Sequence, residues 1–144
     1  MSIIASKEEI LNILENNTNI AVLGAHKDVA KAAYFVAEYL QDHNYEVYPV
    51  NPVFAGQVIL DKEVLSELKE LKVKIDIVDI FRRSEHLEEH IEDILAMKTK
   101  PKVVWFQSGI KNDKVAKILR DNGITVIQNK CLLAEHRLLI AKAS

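Results

Sequence analysis

The sequence predicts an α/β protein, a doubly wound parallel sheet of about five strands with helices on both faces. Short apolar segments alternate with helical patterns along the chain, as in proteins whose parallel strands are joined by crossover helices. The first such unit is the clearest, because the four apolar residues 20–23 end at Gly24 and predict a buried strand over residues 19–24. A helical pattern follows, with its apolar residues on one face; these are Ala33, Val36, Ala37 and Leu40.

The other elements follow from local patterns. A Ser-x-x-Glu capping box at Ser6 predicts a helix over residues 6–16, and the helix of the first unit spans about residues 29–43. Further strands are predicted at residues 45–50, 75–80, 102–106 and 124–127. Further helices are predicted at residues 62–71 after Asp61, at residues 85–95 after Ser84, from Asn112 to Asn122, and at residues 133–142.

Length and composition indicate one domain over residues 1–144. Hydrophobic residues make up 49% of the chain, which is enough for a single core. The longest apolar segments are too short to span a bilayer, and the first residues lack the features of a signal peptide, so we expect no membrane partner. The single cysteine, Cys131, fits the reducing cytoplasm, and the net charge of −2 argues against a nucleic-acid partner.

The candidate site consists of the residues that follow each strand, because open α/β sheets bind ligands beyond the carboxyl ends of their strands. These residues are Gly24, Ala25 and His26; Val50, Asn51 and Pro52; Phe81, Arg82 and Arg83; Gln107, Ser108 and Gly109; and residues 128–131. The turn at Gly24 leads into a helix N-terminus, whose free N–H groups favour a phosphate. Lys27 and Lys31 lie near this cleft and suit a ligand with several phosphates.

Two common nucleotide motifs are absent. The dinucleotide fingerprint needs three glycines and an acid after the second strand, but only Gly24 is present and the second strand ends in Val50-Asn51-Pro52. The chain also lacks the Gly-Lys-Ser/Thr sequence of a P-loop. The sequence therefore disfavours a nicotinamide-dependent dehydrogenase and a P-loop NTPase.

Five segments, in this order and spacing, resemble a known family. They are residues 22–25, 45–52, 76–85 and 104–109, and Cys131 with Glu135 and His136. Together they resemble the small stand-alone CoA-binding proteins, which have a Rossmann-like fold and are related to the N-terminal domain of the succinyl-CoA synthetase α subunit. The resemblance covers about residues 19–137.

The resemblance implies coenzyme A or an acyl-CoA as the ligand. It places the pyrophosphate over Gly24, Ala25 and His26, and the nucleotide end near Val50-Asn51-Pro52 and Phe81-Arg82-Arg83, with Gln107, Ser108 and Gly109 beside the arm. In a doubly wound sheet we expect the third strand beside the second, so that Arg82 and Arg83 reach the same edge as Asn51. At least one of the two arginines is then expected to pair with the 3′-phosphate of the ribose, with unequal contributions from the pair.

The phosphate loop departs from the family pattern. After Gly-Ala the family has a serine, then prolines, an arginine and another serine, whereas these positions read His26, Val29, Lys31 and Ala33 here. Lys31 keeps the positive charge without the fork of an arginine. The stiffening by proline is absent from this loop.

Three other patterns have alternative interpretations. His86-Leu87-Glu88-Glu89-His90 matches the His-x-x-Glu-His form of inverted zincins, but the sequence favours a solvated face without metal. Cys131 is either a thiol nucleophile or a small core residue, and the sequence favours the second, with Glu135 and His136 fastening the last helix. Trp105 and Phe106 are expected in the core, while Phe81 is the better candidate for stacking on adenine.

The sequence favours a cytoplasmic CoA-binding module without catalysis of its own. The alternatives are an acyl- or thiol-transfer enzyme that uses Cys131, and a scaffold that kept the fold and lost the ligand. A small-molecule nucleotide is the expected ligand, and a homo-oligomer or a complex with a partner enzyme is compatible with the sequence.

Overall fold

The computed structural model describes residues 5–141, which form an α/β Rossmann-like fold around a five-stranded parallel sheet. The helices are α1 (Lys7–Asn16), α2 (Ala32–Asp42), α3 (Ile91–Leu95), α4 (Asp113–Asp121) and α5 (Leu132–His136). The strands are β1 (Asn19–Leu23), β2 (Glu46–Val50), β3 (Val58–Ile59), β4 (Lys62–Glu63), β5 (Ile77–Ile80), β6 (Val103–Phe106) and β7 (Thr125–Ile127). The parallel sheet has the order β2-β1-β5-β6-β7, while β3 and β4 form a separate antiparallel pair.

The sheet separates two hydrophobic layers, as the alternation of side chains along a strand requires. In β1, Ile20 and Val22 pack with α1, α2 and α5, whereas Ala21 and Leu23 pack with α3 and α4 on the opposite face. The central strands are buried on both faces, which explains their largely apolar sequences. Trp105 and Phe106 are fully buried in opposite layers, so both belong to the core as expected.

The helices predicted from caps at Ser6 and Asn112 are confirmed. The Ser6 hydroxyl accepts a hydrogen bond from the Glu9 backbone N–H at 3.1 Å, and Asn112 Oδ1 accepts one from Val115 N–H at 3.1 Å. Both bonds satisfy N–H groups that have no partner within the helix. Over residues 5–141, none of the helices has the length and apolar character needed to cross a membrane.

The helix predicted at residues 62–71 is wrong. Leu60 and Asp61 have φ angles of 49° and 71°, which make a two-residue hairpin turn between β3 and β4 rather than a helix cap. The rest of this segment runs along β2, where Leu65 N–H donates to Pro49 O and Asn51 N–H donates to Leu65 O. Only a 3₁₀ turn forms within residues 64–71, at Leu68–Glu70.

The role predicted for Ser84 as a helix cap is also wrong. Residues 84–86 and 88–90 form two 3₁₀ turns, and the α-helical part is only Ile91–Leu95. The Ser84 hydroxyl instead accepts a hydrogen bond from Lys111 N–H at 3.0 Å, which joins the loop after β5 to the loop after β6.

The expected position of the third long strand needs correction as well. We expected it beside the second strand, but β1 lies between β2 and β5. Asn51 and Arg82 therefore follow strands that are separated by the width of one strand. The strand order reverses between β1 and β5, because the chain moves from β1 to β2 on one side and then returns to β5 on the other. The carboxyl ends of β1 and β5 therefore form the topological switch point, where ligands of open sheets bind.

Candidate functional site

A cavity of about 1090 Å³ opens at the carboxyl ends of β1, β5 and β6. Most of the residues expected at the site line it, namely Gly24, His26, Lys31, Phe81, Arg82, Arg83, Gln107, Ser108 and Gly109. The first turn of α2 and Cys131 complete much of the wall, together with Ser84, Glu85, His86 and Ile110. Ala25, Val50, Asn51 and Pro52 do not line it.

Gly24 brings the ends of β1 and β5 into backbone contact. Its φ is +90°, and a Cβ atom added there would lie 2.5 Å from the Phe81 carbonyl oxygen. The Phe81 N–H also donates to the Leu23 carbonyl at 2.9 Å. Glycine is therefore required at this position by the protein itself, whatever ligand approaches the turn.

Val50 and Asn51 support the Gly24 turn from behind. The Val50 carbonyl accepts hydrogen bonds from Gly24 N–H at 2.9 Å and from Ala25 N–H at 3.3 Å, so both of these N–H groups are engaged. The Asn51 side chain donates to the Ala25 carbonyl at 2.9 Å and accepts from Val53 N–H at 3.0 Å. Pro52 is exposed and begins the 3₁₀ turn at residues 52–54.

The loop between β1 and α2 is ordered by short side-chain contacts in place of proline. His26 Nδ1 accepts a hydrogen bond from Asp28 N–H at 3.0 Å, and Asp28 Oδ1 accepts one from Ala30 N–H at 2.9 Å. The His26 ring meets the edge of Phe54 with its centroid 4.8 Å away. The Lys27 ammonium lies over the Phe54 ring, 5.6 Å from its centroid.

The N-terminus of α2 faces the cavity without a side-chain cap. Lys31 is the exposed N-cap residue, and its side chain makes no capping hydrogen bond. Ala32 and Ala33, the first two residues of the helix, line the cavity. Their N–H groups have no acceptor within a helix, and the helix dipole adds positive potential at this end. An anion is the natural ligand for this position.

Arg82 and Arg83 differ in how firmly they are held. Arg82 Nε donates to His90 Nε2 at 3.2 Å, and its terminal nitrogen donates to Glu89 Oε1 at 3.0 Å. This hydrogen bond from Arg82 lowers the pKa of Glu89, while burial lowers the pKa of His90. The side chain of Arg83 is 82% exposed and reaches Glu85 only at 3.8 Å. Arg83 is thus the more available cation at the rim.

A buried polar network connects β5, the end of β6 and the start of α5. Asp79 in β5 is fully buried, and its Oδ2 accepts a hydrogen bond from Gln107 Nε2 at 3.4 Å. Gln107 Oε1 accepts from Leu132 N–H at 3.2 Å, which connects β6 to the start of α5 beside Cys131. Asp79 Oδ1 has no hydrogen-bond partner among residues 5–141, and burial raises the pKa of this carboxyl well above its ordinary value. An acidic residue inside the apolar segment 77–80 was the sequence signal for this network.

The last helix is fastened by His136, as the sequence predicted. His136 is buried, and its Nδ1 lies 2.9 Å from the Tyr39 hydroxyl of α2. The rings of His43 and Tyr45 also contact it, with centroids 5.0 Å and 5.7 Å away. Glu135 contributes through its carboxylate, 3.8 Å from the Lys130 ammonium. Within the described chain, no group of three or more His, Cys, Asp or Glu side chains could hold a metal ion.

The cavity has positive potential at its rim and a longer wall that carries both apolar and polar side chains. Lys31, Arg83 and the start of α2 supply positive potential at its rim, and Phe81 offers an aromatic side chain. Gln107 and Ser108 supply amide and hydroxyl groups along the wall that ends at Cys131. A ligand with phosphates at one end and a longer uncharged part fits this arrangement.

Comparison with known proteins gives consistent results. The sequence model of a family described as "CoA binding domain" matches residues 18–137. The Bacillus subtilis (strain 168) protein YneT is 37% identical over 131 residues, which cover 91% of this chain and 94% of YneT. A solved structure from Thermus thermophilus is 39% identical with a TM-score of 0.90, covering 94% of this chain and all of that one. A Pyrococcus horikoshii OT3 structure is 32% identical with a TM-score of 0.87, covering 94% of this chain and 93% of that one.

Proposed function

Because the chain belongs to this CoA-binding domain family, we propose that it binds coenzyme A or an acyl-CoA in the cavity beside Gly24. It acts as a cytoplasmic binding module without catalysis of its own. The observation that carries the proposal is the position of the uncapped N-terminus of α2, with Lys31, at the rim of a cavity of about 1090 Å³. That volume is at the upper end of ordinary ligand pockets, as a long ligand requires.

The pyrophosphate lies at the start of α2 in this proposal. The N–H groups of Gly24 and Ala25 are engaged by Val50, so the amides of Ala32 and Ala33 are the better donors. Gly24 and His26 form the surface over which the phosphates pass. Val50 and Asn51 act indirectly, because they hold this turn in place through hydrogen bonds to Gly24 and Ala25. Ala25 and Pro52 do not line the cavity either.

The nucleotide end lies towards Phe81 and Arg83. Arg83 pairs with the 3′-phosphate because its guanidinium is exposed and only weakly paired with Glu85. The adenine stacks on Phe81, which is half-buried in the cavity wall. The arm then runs along Gln107, Ser108 and Gly109 towards Cys131.

The experiment is calorimetric titration with CoA and dephospho-CoA, with NAD and ATP as control ligands. A charge-assisted hydrogen bond contributes roughly 1.5–3 kcal/mol, and the exposure of Arg83 reduces its contribution to about 0.7–1.4 kcal/mol. Arg83→Ala should therefore weaken CoA about 3- to 10-fold and leave dephospho-CoA unchanged. Lys98→Ala removes one exposed positive charge outside the cavity and should change neither affinity.

Two results would contradict the proposal. If the parent protein binds none of the four compounds, the fold has been kept without the ligand. If Arg83→Ala weakens CoA and dephospho-CoA equally, the nucleotide end lies elsewhere.

A second candidate function is acyl or thiol transfer by Cys131, because this half-buried thiol lines the same cavity. We favour a structural role, in which Cys131→Ala keeps the affinity for CoA. Rapid alkylation of Cys131 at about pH 7, well below the ordinary thiol pKa of about 8.5, would favour the enzyme instead.

A further inference from the structure

We propose that His90 is a positioning residue for Arg82, and that protonation of His90 releases Arg82 and weakens the binding of phosphate ligands in the cavity. The ligand half of this inference rests on the proposed function. The contact between the two side chains is independent of any ligand.

The hydrogen bond fixes the protonation state of both partners. An arginine is always protonated, so its Nε–H is a donor, and His90 Nε2, 3.2 Å away, must accept. His90 is therefore neutral and carries its proton on Nδ1. With Glu89 Oε1 at 3.0 Å from the terminal nitrogen, two partners hold the guanidinium while its side chain lines the cavity.

The loop after β5 explains why these residues meet. The two 3₁₀ turns at residues 84–86 and 88–90 fold the chain back, which brings residues 89 and 90 beside Arg82. The His-x-x-Glu-His pattern thus holds an arginine through its last two residues. The His90 side chain is 17% exposed, so solvent competes little for its lone pair.

Four charged or titratable groups act on His90. Arg82 and His86 oppose its protonation, while Glu89 and Asp93 favour it. Asp93 is already engaged by the N–H groups of Leu68 and Lys69, at 2.7 Å and 2.9 Å. Burial is the largest influence and, with Arg82, keeps His90 neutral near neutral pH.

Adding a proton to His90 breaks this arrangement. Nε2–H would then point at Nε–H across 3.2 Å, with both groups charged. Glu89 Oε1, 3.6 Å from His90 Nε2, can bond to the new imidazolium in place of Arg82. Arg82 then loses both partners, so a ligand that binds must order the free Arg82 side chain. Ordering one long side chain weakens binding by about two- to tenfold.

The first test uses the unliganded protein and nitrogen NMR of the histidine rings. Near pH 7.5, His90 should show the Nδ1–H tautomer, and Arg82→Ala should remove this preference and raise the pKa of His90. An Nε2–H tautomer in the parent protein, or a tautomer and pKa unchanged by Arg82→Ala, would overturn the inference.

The second test measures dephospho-CoA affinity at about pH 7.5 and about pH 5.5, because its pyrophosphate keeps its charge across this range. His90→Gln offers an amide oxygen that accepts from Arg82 at both pH values. Acidification should weaken the parent protein about two- to tenfold relative to His90→Gln. The comparison cancels every effect of pH that the parent protein and His90→Gln have in common.

Two further variants complete this test. His43→Gln, on the far end of α2 and outside the cavity, should follow the parent protein. Arg82→Lys keeps the charge but lacks the Nε–H, so it should bind weakly at both pH values. Equal pH responses of the parent and His90→Gln would overturn the inference. Absence of binding at about pH 7.5 would instead contradict the proposed function, while the NMR result still decides whether His90 holds Arg82.

Discussion

Replacing Gly24 by alanine should destabilise the fold through the protein's own backbone. The φ angle of +90° lies in the region that residues with a Cβ atom avoid, which costs about 1–2 kcal/mol. The added Cβ would also lie 2.5 Å from the Phe81 carbonyl oxygen, so the ends of β1 and β5 must separate. Strain of this kind costs about 1–3 kcal/mol, so the two parts together give an expected loss of about 2–5 kcal/mol.

Gly109 provides a matched control in the same cavity. Its φ is +82°, but no atom of residues 5–141 lies within 4 Å of the position of an added Cβ. Gly109→Ala should therefore lose only the conformational part, about 1–2 kcal/mol. The difference between the two variants isolates the contact with Phe81.

Urea unfolding of both variants measures this difference, because the free energy of unfolding follows from the midpoint when the slope is unchanged. Equal losses in Gly24→Ala and Gly109→Ala would refute the argument from Phe81. A Gly24→Ala protein as stable as the parent would refute the backbone argument altogether. Only the second result would mean that the need for glycine at residue 24 comes from a ligand.

Two further predictions concern buried titratable groups. The pKa of His136 is lowered by burial and by His43, so the unfolded chain binds more protons than the folded protein. The free energy of unfolding should therefore fall as the pH drops below about 6.5. His136→Asn should reduce this dependence on pH, measured as urea midpoints between about pH 7.5 and 5.5. The pKa of Asp79 is raised by burial, so the folded protein keeps a proton that the unfolded chain releases, and stability should fall as the pH rises above about 4. Asp79→Asn should remove that loss and be more stable than the parent at about pH 8, and a less stable variant would contradict a neutral Asp79.

The five strands of the parallel sheet and most helices could be predicted because their signals are local, whereas β3 and β4 were not predicted. The apolar sequence of β1 and the caps at Ser6 and Asn112 act within a few residues, and each led to the right element. The segment after Asp61 gave a misleading signal. Val64 and Leu68 are spaced as on one face of a helix and both are buried, but the segment pairs with β2 through Leu65. That pairing depends on residues far apart in the chain.

The strand order could not be obtained from local patterns either. Two doubly wound orders are common, one with the third strand beside the second and one with the third beside the first. Both have right-handed crossovers and both bury the same apolar strands. The choice rests on contacts such as the pairing of Val22 with Asp79, which no periodicity reports.

The candidate site shows the same division between local and distant causes. The loss of proline from the phosphate loop was visible in the sequence, and by itself it predicts a less ordered loop. The hydrogen bonds of His26 and Asp28 within the loop, and that of Asn51, which directly follows β2, supply the missing order. A departure from a family pattern at one residue therefore says little about the ligand until its new partners are known. For this chain, those partners leave the start of α2 open to an anion.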